Sequence, residues 1–253
     1  MQRFFIPSAD FAPGFRPKPG ETITIRGDDA HHIADVLRMT AGDRVLCCDM
    51  SRAEYDCRIA GFSRGTVTLE VISVGECDTE PPAVSVLYQA LPKGDKMDII
   101  VQKAVETGVG EIVPFISERC ISRPDTAAAA KKAERWQKIA AEAAKQCGRG
   151  IIPRVSKVIS FSEAVGGCRN VSDGGISFIC YEGDGTLPLG GLLRGKSYRE
   201  YRFMIGSEGG FSQSEFERAK DAGLRPAGLG KRILRCETAP SFVLACICYE
   251  NEL

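Results

Sequence analysis

The sequence has few of the residues from which metal centres and membrane segments are built. Of its 253 residues only two are histidine and one is tryptophan, and no apolar run is long enough to span a bilayer. The eleven cysteines include no pair with the two-residue gap of a zinc knuckle, so we expect no metal site and no membrane. So many cysteines, without a secretory segment ahead of them, are typical of reduced thiols and favour a cytoplasmic protein.

The sequence also lacks net charge, because 33 basic and 33 acidic side chains cancel, which argues against a protein that coats nucleic acid. The distribution is uneven. Residues 1–80 hold nine basic and thirteen acidic side chains, a net charge of −4, whereas residues 119–157 hold ten against three, a net charge of +7. A helical wheel of the second segment puts basic residues on one face and apolar residues on the other, which suits phosphate binding, although a merely solvated face is the alternative. The basic residues are Lys131, Arg135, Lys138 and Lys145.

The pattern of apolar residues predicts two domains. Residues 1–76 contain short β runs punctuated by glycine and proline, which predict a small β-barrel, and one helix signal at residues 28–39. Two prolines at residues 81–82 then form a stiff boundary. Residues 83–253 alternate between strand and helix patterns, which is typical of an α/β domain with a mostly parallel sheet. The predicted strands are residues 84–91, 111–115, 176–181 and 202–205, and the predicted helices are residues 95–107, 131–147, 214–222 and 239–251.

Two glycine-marked turns end short apolar runs near the C-terminus. The first is G-S-E-G-G-F at residues 206–211, and the second is L-G-K-R-I-L-R-C-E-T-A-P at residues 229–240. Glycine lets the backbone come close to a flat ligand, so such strand ends can hold a cofactor, although spacing alone leaves open two ordinary strand-to-helix turns. Ser212 and Glu215 predict a capping box after the first turn, and Thr238 predicts an N-cap after the second.

Residues 190–197 satisfy the phosphate-loop pattern G-x-x-x-x-G-K-S, which would make the protein an NTPase. The chemistry of that loop requires a strand before it and a helix directly after it, so that amide groups converge on the phosphates. Here a short proline-containing segment precedes the motif and a β-rich run follows it. The context argues against the NTPase, which we keep as an alternative.

Motifs along nearly the whole chain resemble those of the bacterial small-subunit ribosomal RNA uridine-N3 methyltransferases, a family of the SPOUT class of S-adenosylmethionine enzymes. The two glycine turns are similar to the two signature loops of that family. The sequence departs from the family pattern at Ser207, where proline is usual, and at Cys236, where threonine is frequent. Further matching strings are H-H-I at residues 31–33, V-L-R-M at 36–39, K-G-D-K-M at 93–97, S-E-R at 117–119 and Q-C-G-R at 146–149.

The resemblance implies a fold and an activity. The fold would be a PUA-like RNA-binding β-barrel over residues 1–76, followed over residues 83–253 by a SPOUT-type domain. That domain is α/β and trefoil-knotted, with a mostly parallel sheet and helices on both faces. The activity would be transfer of a methyl group from S-adenosylmethionine to N3 of a uridine in small-subunit ribosomal RNA, free or in the assembled subunit, by a homodimer. A non-catalytic RNA-binding or assembly protein is the second alternative, but it has no need of two cofactor turns.

The resemblance also implies roles for particular residues. Glu208 and Glu237 are the candidates for removal of the imide proton, and spacing does not choose between them. Arg149 and Arg235 would stabilise negative charge on the uracil oxygens, unless they are phosphate clamps or loop braces. In the barrel, we expect RNA contacts at Arg3, His31 and Arg38. The cofactor would be held mostly through the backbone of Tyr181, Glu182, Ile205, Gly206, Glu208, Gly209, Gly210, Leu229, Gly230, Ile233, Leu234 and Arg235.

Overall fold

The chain folds into two compact units. The structure, a computed structural model, describes residues 1–6 and 16–253. The first unit contains residues 1–80 and 144–152, and the second contains residues 81–143 and 153–253. The segment 144–152, which the sequence prediction placed in the second domain, therefore packs with the first unit.

The first unit is built on a five-stranded sheet with the strand order β1-β3-β4-β5-β2. Among its described residues, every strand pairing is antiparallel except that of β1 with β3. Buried and exposed positions alternate along β2 and β4, as expected for strands with one face on a core. Fully buried side chains of that core include Phe4, Tyr55, Ile59 and Leu69. The strands are β1 (Gln2–Phe5), β2 (Thr22–Arg26), β3 (Arg44–Cys48), β4 (Ala53–Ser63) and β5 (Thr66–Glu76).

One helical segment follows β2, where the sequence predicted a helix over residues 28–39. It begins as the α-helix α1 (Gly27–His31) and continues as a π-helical turn (His32–Val36). The amide of Leu37 donates to the carbonyl of His32, and the backbone then turns at Arg38, which has φ +53°. The predicted helix is therefore confirmed in place but ends earlier than expected.

The second unit is built on an eight-stranded sheet, and every pairing described in it is parallel. The order is β11-β13-β10-β12-β6-β7-β8, with β9 also paired to β7. Successive residues are buried along β6, β7, β10 and β12, so both faces of the sheet are covered. This confirms the predicted α/β class, whereas the threading of a trefoil knot stays a prediction. The strands are β6 (Val84–Ala90), β7 (Glu111–Ile116), β8 (Arg154–Val155), β9 (Ile159–Ser160), β10 (Ile176–Cys180), β11 (Leu187–Pro188), β12 (Glu200–Ile205) and β13 (Arg225–Gly228).

Six helices alternate with these strands, and four of them agree with the sequence pattern, those at residues 96–106, 126–147, 213–221 and 239–252. The helix around Trp136 begins five residues before the predicted start at Lys131, because a run of alanines extends it. The other two, at residues 161–169 and 189–193, were not predicted. The six are α2 (Lys96–Glu106), α3 (Thr126–Cys147), α4 (Phe161–Arg169), α5 (Leu189–Leu193), α6 (Gln213–Asp221) and α7 (Ala239–Glu252).

Candidate cofactor site

Four neighbouring strands of the parallel sheet deliver their C-terminal ends to one edge. The strands β13, β10, β12 and β6 lie side by side, so the segments that follow them meet there. Together these segments enclose a cavity of about 370 Å³ in the second unit. The segments are residues 181–186 after β10, 206–211 after β12 and 229–237 after β13, with Lys96 contributed after β6.

The residues predicted to hold a cofactor line this cavity, with one exception. Gly209 does not line it, and its carbonyl instead accepts a hydrogen bond of 2.9 Å from Nη1 of Arg119. Sequence reasoning missed the lining residues outside the two predicted turns, which are Lys96, quoted only as part of a motif, and Cys180, Thr186 and Gly228. Other lining residues lie within the two predicted turns but were not singled out as contacts: Ser207, Phe211, Lys231, Arg232, Cys236 and Ala239.

The glycines of the two turns are needed for different reasons. Gly210 and Gly230 have φ of +63° and +105°, in the left-handed region that favours glycine. Gly206 has an ordinary φ, but a Cβ built on it would lie 3.0 Å from Cα of Gly210. Space rather than φ therefore requires glycine at that position, because the turn closes with a 2.9 Å bond from the amide of Gly210 to the carbonyl of Ser207.

The predicted capping box after the first turn is confirmed. The hydroxyl of Ser212 accepts from the amide of Glu215, and the Glu215 carboxylate accepts from the amide of Ser212. The other oxygen of Glu215 accepts a 2.8 Å bond from the amide of Glu118, so the segment after β7 braces this turn. The second cap differs from the prediction. Thr238 occupies the N-cap position but its backbone is helical, at φ −90° and ψ −38°, and its side chain caps nothing.

Three charged side chains meet on the rim of the cavity. The ammonium Nζ of Lys96 lies 2.8 Å from Oε1 of Glu208 and 3.7 Å from Oε2 of Glu237. The amide of Lys93 also donates to both oxygens of Glu208, at 3.2 and 3.3 Å. The two carboxylates proposed as alternatives for the same role are thus joined through one cation.

These contacts fix the protonation of the cluster. Burial would raise the pKa of Glu208, but hydrogen bonds from Lys96 and from backbone amides outweigh it and hold that pKa below its usual range. Burial would also raise the pKa of Glu237, but hydrogen bonds from the backbone and from Cys236 outweigh it, so the pKa of Glu237 is lowered as well. Burial and the bond to Glu237 raise the pKa of the Cys236 thiol to about 12. At neutral pH both carboxylates are ionised and Cys236 is a neutral thiol.

The lining of the cavity fits a ligand with a flat apolar part and polar groups. Ile205, Phe211 and Leu234 provide apolar surface, and Ile233 has 82% of its surface exposed. The hydroxyl oxygen of Ser207 is buried and has no hydrogen-bond partner among the described residues. An unsatisfied buried hydroxyl costs free energy, so it is typical of a site that a ligand or water completes. S-adenosylmethionine has an adenine ring, hydroxyls and charged groups, and the residues present suit it.

The two arginines proposed to stabilise charge on uracil lie in different environments. Arg235 lines the cavity and is exposed. Arg149 belongs to the first unit, where its Nη2 lies 2.7 Å from the carboxylate of Glu80 and its side chain is only 6% exposed.

Two of the three barrel residues predicted to contact RNA already have protein partners, and so does Lys145, which was predicted on the basic helix face. Arg3 is largely buried against Glu54 at 2.8 Å, and Lys145 lies 2.8 Å from Asp29. His31 is exposed and bonds the carboxylate of Asp35 at 2.6 Å. Arg38 is exposed on the turn that ends the helical segment.

The basic face predicted on α3 is only partly available to RNA. Lys131 and Lys138 are exposed, as the helical wheel predicted. Arg135, although exposed, forms an ion pair with Asp98 of α2, and the other oxygen of that carboxylate accepts a 3.2 Å bond from Nε1 of Trp136. Arg135 therefore also has a structural contact that the wheel did not predict.

The phosphate-loop motif at residues 190–197 does not have phosphate-loop geometry. Its first glycines lie inside the short helix α5, and strand β12 follows it. Nζ of Lys196 donates to the carbonyl of Gly191 at 3.1 Å, so the lysine is held by the motif itself. Among residues 1–6 and 16–253, no cluster of three metal-ligating side chains occurs, and no helix is both long and apolar enough to cross a membrane.

Comparisons with known proteins match both units. A family model of an RNA methyltransferase domain matches residues 79–248, and a model of an RNA methyltransferase PUA domain matches residues 25–72. The ribosomal RNA small subunit methyltransferase E of Bacillus subtilis is 35% identical over 100% of this chain and 98% of its own length.

Solved structures of methyltransferases are also similar to this chain over nearly its whole length. The ribosomal RNA small subunit methyltransferase E of Neisseria gonorrhoeae, solved bound to S-adenosylmethionine, is 32% identical with a TM-score of 0.84 over 98% of this chain and 97% of that one. A Legionella pneumophila protein, also solved with S-adenosylmethionine, is 28% identical with a TM-score of 0.82 over 98% of this chain and 96% of that one.

Proposed function

Because this chain belongs to the ribosomal RNA small subunit methyltransferase E family, it is an S-adenosylmethionine-dependent methyltransferase of small-subunit ribosomal RNA, and we propose that the methyl group goes to N3 of a uridine. The observation that carries the proposal is the cavity of about 370 Å³ at the C-terminal edge of the parallel sheet, lined by both glycine turns. No residue of the phosphate-loop motif at 190–197 lines that cavity, and a non-catalytic RNA-binding protein has no need of it.

The cofactor supplies an electrophilic methyl group on a sulfonium, and the protein has to bind it, orient it and bring the nucleophile in line. The turn of residues 206–211 and the segment 229–237 would hold it mostly through backbone groups. The ionised carboxylates of Glu208 and Glu237 add negative charge beside the cavity, which favours a cationic ligand.

N3 lies on the Watson–Crick edge of uracil, so the target base has to be unpaired or flipped out of its helix. Arg235 is on the rim, exposed, where a base entering the cavity would meet it. We assign it the role of stabilising negative charge on the uracil oxygens as the imide proton leaves. Lys131 and Lys138 supply exposed positive charge for phosphates on α3, and His31 and Arg38 are the exposed candidates in the first unit.

We also propose that two copies of the chain pair through α7. Its outward face is apolar, with Phe242 39% and Tyr249 67% exposed, and a helix of a monomer rarely leaves such a stripe to water. Sedimentation of wild type and of Tyr249→Asp tests the pairing: the wild type should sediment as a dimer and the variant as a monomer. A location in the cytoplasm follows from the substrate, because bacterial ribosomes assemble there.

Isothermal titration with S-adenosylmethionine and with ATP tests the assignment of the cavity. We expect saturable binding of S-adenosylmethionine and none of ATP. Binding of ATP alone would support the NTPase, and binding of neither would support the non-catalytic protein. Methyl transfer to naked ribosomal RNA and to assembled subunits, measured in parallel, then identifies the form of the substrate.

A further inference from the structure

One ammonium group lies between the two turns that form the cofactor cavity. Lys96 is the first residue of α2, and its Nζ lies 2.8 Å from Glu208 in the first turn and 3.7 Å from Glu237 in the second turn. The two turns are separated by α6 and β13 in sequence. On the rim of the cavity, Lys96 is the side chain that contacts an acidic residue of each of the two turns.

The fold explains how Lys96 reaches both turns. Strands β6 and β12 are parallel neighbours with Gln89 opposite Ile205, so the chain leaving β6 runs beside the turn that leaves β12. Gly94 has φ +68°, which turns the chain directly before α2. Glu208 is then held from two sides, by the Lys96 side chain at 2.8 Å and by the amide of Lys93 at 3.2 Å.

The two carboxylates on the cavity rim, Glu208 and Glu237, favour a cation at the position of Lys96. The side chains of Lys96, Glu208 and Glu237 are 32%, 33% and 22% exposed, so water screens them only in part. Two carboxylates that share one cation repel each other when the cation is removed, and their charges then favour separation of the turns. The neutral thiol of Cys236 and the cationic Arg235 are the other groups that act on Glu237.

We propose that Lys96 is a positioning residue that ties the two turns together and so sets the shape of the cofactor cavity. The identity of the ligand in this inference rests on the proposed function. Glu208 and Glu237 are the anchors of Lys96 on the two turns, and neither acts as the acceptor of the imide proton. A carboxylate with an ammonium nearby, at 2.8 Å for Glu208 and 3.7 Å for Glu237, would be a poor base, because its charged form is already stabilised.

The first test compares Lys96→Met with Lys103→Met. Lys103 is a matched control, because it lies on the same helix and forms an ion pair of 2.8 Å with Glu106 away from the cavity. We expect affinity for S-adenosylmethionine, measured by titration, to fall about threefold to tenfold in Lys96→Met, as for a partly exposed charged contact. Lys103→Met should bind as wild type does, and Lys96→Arg should recover part of the loss.

The pH dependence of cofactor affinity distinguishes an electrostatic role of Lys96 from a simple packing role. Without Lys96, the carboxylates of Glu208 and Glu237 lose a contact that lowers their pKa, so they protonate at higher pH than in wild type. Protonation removes their repulsion, so the defect of Lys96→Met should shrink as the pH falls from about 7 to about 4, through the range in which an ordinary glutamate titrates. A defect that is constant over this range would overturn the tie.

Glu208→Gln tests the assigned role of the carboxylate. Loss of a general base lowers the turnover rate by about a hundredfold or more, whereas loss of an anchor mainly weakens cofactor binding. We expect the second result. The loss of cofactor-binding free energy in the double variant Lys96→Met/Glu208→Gln should be smaller than the sum of the losses in the two single variants. A hundredfold loss of turnover with unchanged affinity would identify Glu208 as the base and overturn the inference.

Amide hydrogen exchange of the ligand-free protein makes the test independent of the ligand. Exchange in residues 206–210 and 229–237 should be faster in Lys96→Met than in Lys103→Met and wild type. If wild type fails to bind S-adenosylmethionine, the proposed function fails while this measurement still decides on Lys96. Equal exchange in all three proteins would refute the tie.

Discussion

Arg149 and Glu80 form an ion pair of 2.7 Å in which the two side chains are only 6% and 4% exposed. The other oxygen of Glu80 accepts from Nε of Arg149 at 3.2 Å and from the amides of Gly150 and Ile151 at 2.9 and 3.0 Å. The pair thus fastens residues 149–151 to the end of the first unit. The resemblance assigned Arg149 a catalytic role, but this geometry favours a structural one.

We predict that Arg149→Ala destabilises the protein by about 3–5 kcal/mol, because it leaves a buried carboxylate without its cation. Arg154→Ala is the control, since Arg154 forms an exposed pair of 3.8 Å with Glu111 and should cost at most about 1 kcal/mol. Urea unfolding measures both. A stable Arg149→Ala protein without methyl transfer would instead restore Arg149 to catalysis.

Gly206→Ala should weaken S-adenosylmethionine binding by at least about tenfold without unfolding the chain. The added Cβ would lie 3.0 Å from Cα of Gly210 and 3.1 Å from its carbonyl carbon, so the turn would have to open. Gly190→Ala is the control, because a Cβ built at position 190 would have nothing within 4 Å. Titration and circular dichroism together check the prediction, which is wrong if both variants bind as wild type does.

Gly190→Ala also bears on the phosphate-loop alternative, because Gly190 is the first glycine of that motif. Lys196→Ala removes its lysine, whose Nζ donates to Gly191 at 3.1 Å. We expect both variants to keep full methyl transfer to ribosomal RNA. A well-folded Lys196→Ala protein that had lost most of its activity would support a phosphate site.

Ser207→Ala should have opposite effects on stability and on binding. The hydroxyl is buried without a partner among the described residues, so its removal should raise the melting temperature of the ligand-free protein slightly. If the hydroxyl turns to a polar group of the cofactor, affinity should fall about threefold to tenfold, the value of one neutral hydrogen bond. Thermal unfolding with and without S-adenosylmethionine measures both effects. Unchanged affinity would show that Ser207 does not contact the ligand.

Lys131→Ala/Lys138→Ala should weaken RNA binding while leaving cofactor affinity unchanged. Both side chains are exposed, and if each neutralises one phosphate, the slope of log affinity against log salt becomes shallower by about 0.7–0.9 per contact. Arg135→Ala is a poorer test, because it also removes the partner of Asp98 and so disturbs the contact with Trp136. An unchanged slope would show that this face of α3 is only solvated.

Much of the fold could be predicted because strong periodic patterns coincide with real elements. Strands β6, β7, β10 and β12 are runs of apolar residues, and the wheel of α3 puts Trp136 on the buried side. Strand β13 was missed because its sequence R-P-A-G contains two residues that disfavour strands. Helix α4 was missed because glycines interrupt it, although Ser160 and Glu163 form a capping box that the sequence already contained.

The site was predictable where it depends on backbone and less so where it depends on side chains from distant segments. Both glycine turns were found, since glycine marks the place of a tight turn. Lys96 was missed because its partners Glu208 and Glu237 are more than a hundred residues away, and only the parallel pairing of β6 with β12 brings them together. The contact of Glu80 with Arg149 was also missed, because 69 residues separate the two in sequence.

The measurement that tests the central claim most directly is nucleoside analysis of small-subunit ribosomal RNA after reaction with methyl-labelled S-adenosylmethionine. The RNA is digested to nucleosides, and the labelled product is separated and identified by mass spectrometry. Our account predicts 3-methyluridine, formed by wild type and reduced or absent with Gly206→Ala. Label in any other nucleoside, or no transfer by a wild-type protein that binds the cofactor, would contradict it.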